Sequence, residues 1–226
     1  MKTRTAAATT AKKARSRPRR ESAHRSRRSD ELLHLAATVF AERGYHGASM
    51  REIAERWGVQ AAALYYYYPS KAMLLKGICQ YAIAQFLERV REIQASNLPP
   101  QEKVRQAIRA HIEPLIEDRF YVHAFLYLRR ELPRAARRPL DAQAHAYEAL
   151  WRAIIAEGQM GGVIAKSLDA RISVLAILGM CNAVARWSHS ASELGLDPVA
   201  EAFTRIVSLG LFGKAVSVSG RKHSRN

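Results

Sequence analysis

The sequence predicts an all-α fold, and three observations carry the prediction. Apolar residues recur at helical spacing, with many Ala among them, as one buried helix face requires. No segment alternates apolar and polar residues in the manner of a half-buried strand. Only 12 Gly and 8 Pro occur among 226 residues, and they punctuate the periodic runs.

Composition excludes several classes. Hydrophobic residues make up 48% and charged residues 25%, ordinary globular usage that rules out a wholly disordered chain. The longest apolar stretch, Ile172 to Ala185, contains Ser173, Gly179 and Asn182 and falls short of the roughly 18 residues of a membrane span, so no membrane partner is expected. Cys79 and Cys181 stand far apart without Cys or His at ligand spacing. That excludes a disulfide scaffold and a zinc site and fits a reducing cytoplasm. Neither metal nor cofactor is expected.

The net charge of +16 is unevenly placed. Residues 1–28 hold eleven Lys and Arg against Glu21 alone, and residues 214–226 hold four more. The body between them is nearly neutral. The first 28 residues lack Leu, Ile, Val and Phe, so they are expected to form a disordered basic arm, with 214–226 a similar tail. Such an arm suits nucleic-acid phosphates; the same composition also suits a solubilising tail or an organelle transit peptide.

Ser29 is placed to cap the first helix, with Asp30 and Glu31 at its positive end and Leu32, Leu33, Ala36, Val39 and Phe40 on one face. Gly44 stands at the C-cap position. Ser49 and Glu52 form an S-x-x-E capping box that opens a brief second helix, with Ile53, Ala54 and Trp57 inward and Gly58 ending it. A third short helix spans about 60–67, closed by Pro69, and Ser70 caps a long fourth helix beginning at Lys71. Two short helices across a tight Gly turn, backed by another helix, have helix-turn-helix geometry.

The stretch Phe40 to Leu75 closely resembles the TetR family of bacterial transcriptional regulators. Phe40, Gly44-Tyr45, Ile53-Ala54, Gly58-Val59, Leu64-Tyr65 and Tyr68-Pro69-Ser70-Lys71 carry the match. The resemblance implies a head that reads double-stranded DNA. Ser49, Arg51, Tyr67 and Lys71 would lie near phosphates, and Gln60, Ala61, Ala62, Tyr65 and Tyr66 would face the groove. Gln60 can pair bidentately with adenine, and the alanines either meet thymine methyls or serve only helix propensity and packing. Four consecutive tyrosines cannot share one role, because each step turns the helix about 100°; Tyr68 is the one expected to be buried. The head, 29–80, carries five basic and five acidic residues, so long-range attraction falls to the arm.

Residues 81–213 read as a helical bundle for ligand binding and dimerisation. After the fourth helix, which ends near Gln94, further helices are expected near 101–117, 120–131, 139–157, 169–190 and 198–212, with Asp169 and Asp197 as N-caps and Pro198 at the first helical position. No nucleophile elbow, phosphate loop or H-E-x-x-H pattern occurs, so no catalytic residue and no enzyme is expected. The last two helices carry Leu175, Ile177, Leu178, Met180, Val184 and Trp187, then Phe203, Ile206, Val207, Leu209 and Leu211. In the family such helices form a homodimer interface; the alternative is core. Arg129 to Leu132, Tyr147-Glu148, Leu150-Trp151 and Leu178 to Met180 with Trp187 resemble a subgroup that senses acyl-CoA thioesters. That resemblance points to a small-molecule effector, apolar or acyl-CoA-like, at Phe125, Tyr127, Arg129, Arg130, Trp151, Met180 and Trp187. The neighbouring arginines Arg134, Arg137 and Arg138 suit its phosphates, or make a solvated turn.

The sequence thus predicts a dimeric, ligand-responsive repressor of a palindromic operator, cytoplasmic in a bacterium. Its rival is an architectural protein that binds any duplex through the basic arm.

Overall fold

A computed structural model describes residues 17–212, with side chains from Arg28 onward. The expectations for residues 1–16 and for the C-terminal tail lie outside the described residues. Ten α-helices follow in order: α1 (Arg17–Gly47), α2 (Met50–Arg56), α3 (Ala61–Tyr67), α4 (Lys71–Ala95), α5 (Pro100–Glu117), α6 (Arg119–His123), α7 (Arg134–Met160), α8 (Ala170–Asn182), α9 (Ser188–Leu194) and α10 (Leu196–Leu211). No strand occurs among the described residues, so the fold is all-α as expected.

The second and fourth helices are capped where the sequence puts their caps. Ser49 Oγ accepts from Glu52 N at 3.0 Å, and Ser70 Oγ accepts from Met73 N at 3.2 Å. Gly44 and Gly58 hold φ of 69° and 72°, the left-handed region that L side chains avoid. The capping box is only half made, because Glu52 turns its carboxylate to Arg56 (2.8 Å) and Arg43 (3.4 Å).

Several boundaries differ from expectation. Ser29 is no cap: α1 begins at Arg17, so residues 17–28 are helical, with Pro18 in the first turn where its missing N–H costs nothing. Arg is a strong helix former, and extending an existing helix needs no burial. The helix expected over 120–131 is three pieces: α6, a π-helical turn Ala124–Leu128 and a 3-10 turn Arg129–Glu131. α7 starts at Arg134 and takes Pro139 within it. The helix expected over 169–190 stops at Asn182, passes through a 3-10 turn Ala183–Arg186 and bends by 90° into α9. Asp169 does cap α8, accepting from Ile172 N at 2.8 Å. α10 is capped not by Asp197 but by Gly195, whose φ of 86° turns the chain.

α4 is the central helix. It packs on α1 in the head and on α5 and α7 in the body, running unbroken through the boundary expected at residue 80. Its buried face runs from Leu74 and Leu75 through Ile78 and Ile83 to Val90. Trp151, Ile154 and Ile155 of α7 and Ile108, Ile112 and Leu115 of α5 complete this core. Lys103 is also buried; it donates to Gln94 O at 2.9 Å and to the Glu157 carboxylate at 2.8 and 2.9 Å, tying α4, α5 and α7 at one end. No single helix among the described residues is long and apolar enough to cross a membrane.

Gly158 shows how tightly α7 is packed. A Cβ there would lie 2.5 Å from Ile164 Cδ1 and 2.8 Å from its Cγ1, because the loop after α7 folds back onto bare backbone. Ala would raise helix propensity by about 1 kcal/mol, but overpacking costs about 1–3 kcal/mol. Gly158→Ala should therefore lower stability in urea unfolding, and Ile164→Ala in the same chain should recover part of the loss. A Gly158→Ala protein more stable than the parent would show that Ile164 yields freely.

Candidate nucleic-acid interface and ligand cavity

The head presents α3 as its outward element. Only Leu64 of α3 is buried. One face therefore meets the core, while Ala62, Ala63, Tyr65 and Tyr66 are exposed, Tyr66 at 69%. Gln60 precedes the helix and makes no side-chain cap, leaving its amide available. Ala61 is half-buried, so of the residues expected to face a groove it is the one most involved in packing.

The four tyrosines divide differently from expectation. Tyr68 is half-buried rather than core; its ring lies over Gly77, where a Cβ would come within 2.9 Å of Cε1. Tyr67, also half-buried, meets Trp57 edge-on at 5.5 Å. Trp57 is itself only half-buried and carries the Arg28 guanidinium over its ring at 5.4 Å. Tyr65 and Tyr66 remain on the surface because the helix turn carries them off the face that Leu64 buries.

Charges around α2 are largely matched. Arg51 is exposed but pairs with Glu55 at 2.8 Å, and Arg56 bridges Glu42 (2.7 Å) and Glu52 (2.8 Å). Lys71 has a task other than the phosphate contact expected of it. Its ammonium donates to the carbonyls of Tyr45 (2.7 Å), Ala48 (2.9 Å) and His46 (3.4 Å) and lies 4.6 Å from the centre of the Tyr45 ring. An ammonium has three N–H donors, and three carbonyls surround it.

Within the body, a cavity of about 160 Å³ lies between α4, α5, α7, α8 and the π turn. Ile83, Phe86, Phe125, Leu126 and Leu178 give it apolar walls. His111 forms the polar wall, with Nδ1 2.7 Å from the Tyr147 hydroxyl and Nε2 3.2 Å from Asn182 Oδ1. A neutral ring that donates from Nε2 and accepts at Nδ1 satisfies both. Burial pushes the His111 pKa down to about 4 and raises that of the Tyr147 hydroxyl, so both are neutral near pH 7.

The expected ligand residues scatter. Phe125 and Arg129 line the cavity, the guanidinium stacked 4.5 Å from the Phe125 ring centre. Tyr127 and Arg130 are exposed outside it. Trp151 is fully buried behind His111, at 6.4 Å between rings. Met180 lines a separate groove between α8 and α10, and Trp187 packs on Phe203. Arg129 and Arg137 share Asp141 instead of standing open as an anion site. Sequence reasoning missed Phe86, His111, Tyr147 and Asn182 as one group, because they come from four different helices. Cys79 and Cys181 are buried, and burial pushes both thiols up to about 12, leaving neither a nucleophile.

A short helix held out by a Gly turn, over a helical body with an apolar cavity, defines a DNA-binding helix-turn-helix regulator. The sequence comparisons agree. The family described as "Bacterial regulatory proteins, tetR family" matches residues 32–78, and "Tetracyclin repressor-like, C-terminal domain" matches residues 97–211. The chain belongs to the TetR family of transcriptional regulators. The HTH-type transcriptional repressor KstR2 of Mycolicibacterium smegmatis is 27% identical over 201 residues, covering 87% of this chain and 95% of that protein. The crystal structure of PfmR, a TetR family regulator from Thermus thermophilus, superposes with a TM-score of 0.73 at 26% identity, over 78% of this chain and 96% of that one. AibR in complex with isovaleryl coenzyme A and operator DNA gives 0.72 at 25% identity, over 83% and 100%.

His111 sets a pH dependence. Its folded pKa lies below the unfolded value near 6.5, so the unfolded chain binds more protons between these values and its share of stability grows with pH. That share is complete above about pH 6.5 and falls away down to about pH 4, by roughly 3 kcal/mol. Urea unfolding from pH 7.5 to 4.5 should show this loss, and His111→Asn should flatten it. An equally steep acid loss in the variant would assign the effect elsewhere.

Proposed function

We propose that the chain is an effector-responsive repressor that binds a two-half-site operator as a homodimer. The observation that carries the proposal is the outward side of α3 and its N-cap, where Gln60, Ala62 and Tyr65 are exposed together. Gln60 supplies a bidentate adenine contact, and the alanine and tyrosine faces supply apolar contact to thymine methyls. Ser49 and Arg51 lie at the start of α2, where they meet the flanking backbone, and Tyr67 adds a hydroxyl beside them. A neutral head gains its attraction to DNA from the basic residues of 1–28.

Dimerisation through α8 and α10 is supported by their outward faces. Ile172, Leu175, Ile206 and Leu209 are exposed, Leu209 at 72%, beside an apolar groove of about 260 Å³ that Met180 and Gly210 help line. Of the apolar residues expected here, Ile177, Leu178, Val184, Val207 and Leu211 are core, so the two roles divide along each helix. Two copies joined there place two heads on one duplex, as a palindromic site requires.

The cavity is the effector site of this proposal, and an apolar or acyl-CoA-like molecule is its occupant. Support comes from its apolar walls with few convergent polar groups, and from the likeness to a fold that holds isovaleryl coenzyme A. The occupant changes the spacing of the heads and releases DNA by favouring the wider or narrower state. The cytoplasm is the compartment this function needs.

Selection of genomic fragments retained by the full-length protein should return one palindromic sequence. On that operator, Gln60→Ala should weaken binding by about 1–3 kcal/mol. Deleting residues 1–28 should weaken it while flattening the salt dependence, with sequence preference intact. Equal retention of every duplex would establish the architectural rival instead.

A further inference from the structure

An unmatched cluster of positive charge lies beside the head, on the body. Residues 129–141 hold five arginines against Glu131 and Asp141 alone. Asp141 is shared by Arg129 (3.4 Å) and Arg137 (3.3 Å), and Glu131 reaches His46 at 3.0 Å. Arg130, Arg134 and Arg138 are exposed and have no carboxylate partner among the described residues. That sets them apart from Arg51, Arg56, Arg89, Arg105 and Arg109, each of which lies against a carboxylate. Arg134 and Arg138 stand four residues apart on α7 and so share one side of it. Pro133 gives α7 no side-chain cap and the first turn holds no acid, so the positive end of the helix dipole adds to the same patch.

The patch adjoins the head where a duplex backbone would pass. His46 lies between the Gly44 kink and the Ser49 cap of α2. In three-helix heads such as the homeodomain, the segment joining the first two helices contacts the DNA backbone. Consecutive Cα atoms are about 3.8 Å apart, so His46 and Ser49 stand within about 11 Å of each other. Glu131 touches His46, and Arg130 is its neighbour in the chain. Phosphates recur about every 3.4 Å of rise along each strand, so those next to the one that Ser49 meets come within reach of the long side chains around Glu131. None of the three arginines gives up an ion pair to meet a phosphate, as Arg51 must give up Glu55.

We propose that Arg130, Arg134 and Arg138 form a second DNA contact, carried by the body, that holds backbone phosphates beside each operator half-site. The contact rests on the reading of the head as an operator reader. It engages phosphates and carries no sequence information of its own. The turn that bears Arg130 directly follows the π turn whose Phe125 and Leu126 line the cavity, so one short segment serves both the cavity and the duplex.

Titration of the full-length protein against the operator selected from genomic fragments, from about 50 to 200 mM salt, tests this. In the triple variant Arg130→Ala, Arg134→Ala, Arg138→Ala, the slope of log affinity against log salt should be shallower by about 2 or more per dimer. Each phosphate contact contributes about 0.9 to that slope, and two patches are lost. Affinity at about 50 mM salt should fall at least about ten-fold, with the ranking of operator variants unchanged. Lys at the same three positions keeps the charge and should keep the slope. Ethylation of single phosphates beside the Ser49 contact should hinder binding by the parent and not by the Ala variant. An unchanged slope in the Ala variant, a Lys variant as weak as the Ala variant, or ethylation that hinders both proteins equally would each overturn the proposal and leave the operator reading standing. A parent that prefers no duplex would instead defeat that reading, and this contact with it.

Discussion

The Lys71 ammonium sits among the carbonyls of Tyr45, His46 and Ala48, with the Tyr45 ring against it. These carbonyls follow the kink that a left-handed Gly44 makes near the end of α1 and precede α2, so no regular helix satisfies them all. Lys71 is the first residue of α4, whose frame Ser70 fixes by capping. One side chain therefore joins the end of α1, the entry to α2 and the start of α4. Hydrogen bonds from a charged donor contribute about 1.5–3 kcal/mol, so the part-buried ones to Tyr45 and Ala48 are a sizeable share of a domain's stability, while water can replace the exposed one to His46. The orientation of α3 depends on this joint, because α2 and α3 are too short to hold a position alone.

Because α4 continues from the head into the middle of the body, it ties the joint that supports α2 and α3 to the bundle core. The cavity touches α4 through Ile83 and Phe86. A second connection runs beside it. The π turn contributes Phe125 and Leu126 to the cavity, and the 3-10 turn that follows places Glu131 3.0 Å from His46 of the head. Tyr121 of α6 donates to Asp30 O of α1 at 3.4 Å. Exposed pairs such as His46–Glu131 are worth little singly. The packed segment from α6 to Glu131 matters more, since its π turn abuts cavity, α1 and α4 together.

The head was legible in the sequence because its determinants are local. Ser49, Gly58 and Ser70 act within three residues of themselves, and the Leu64 periodicity assigns one face of α3 without knowledge of anything distant. Gly44, Gly58 and the Ser49 and Ser70 caps stand as expected, whereas Ser29 lies inside α1. The body was legible as helices but not as a site. His111, Tyr147 and Asn182 lie 36 and 71 residues apart in hydrogen-bonded pairs, and no spacing rule joins them. The arginines near 129–138 resemble an anion site in sequence; in space Asp141 takes two of them. The 90° bend after Asn182 carries no Gly or Pro, so a continuous helix is the natural expectation from sequence. Lys71 shows the same limit in the head: its position was legible, but its acceptors are main-chain atoms that any sequence would supply.

The central claim is that Lys71 makes the head and α4 one body. Amide hydrogen exchange on the full-length protein and on Lys71→Ala tests it most directly. The account predicts that amides from Ala48 through α3 exchange about ten- to a hundred-fold faster in the variant, the equivalent of about 1–3 kcal/mol, while Ile154 and Ile155 of α7 keep their protection. Unchanged protection across α2 and α3 would contradict it, and would mean that apolar packing alone positions the reading helix.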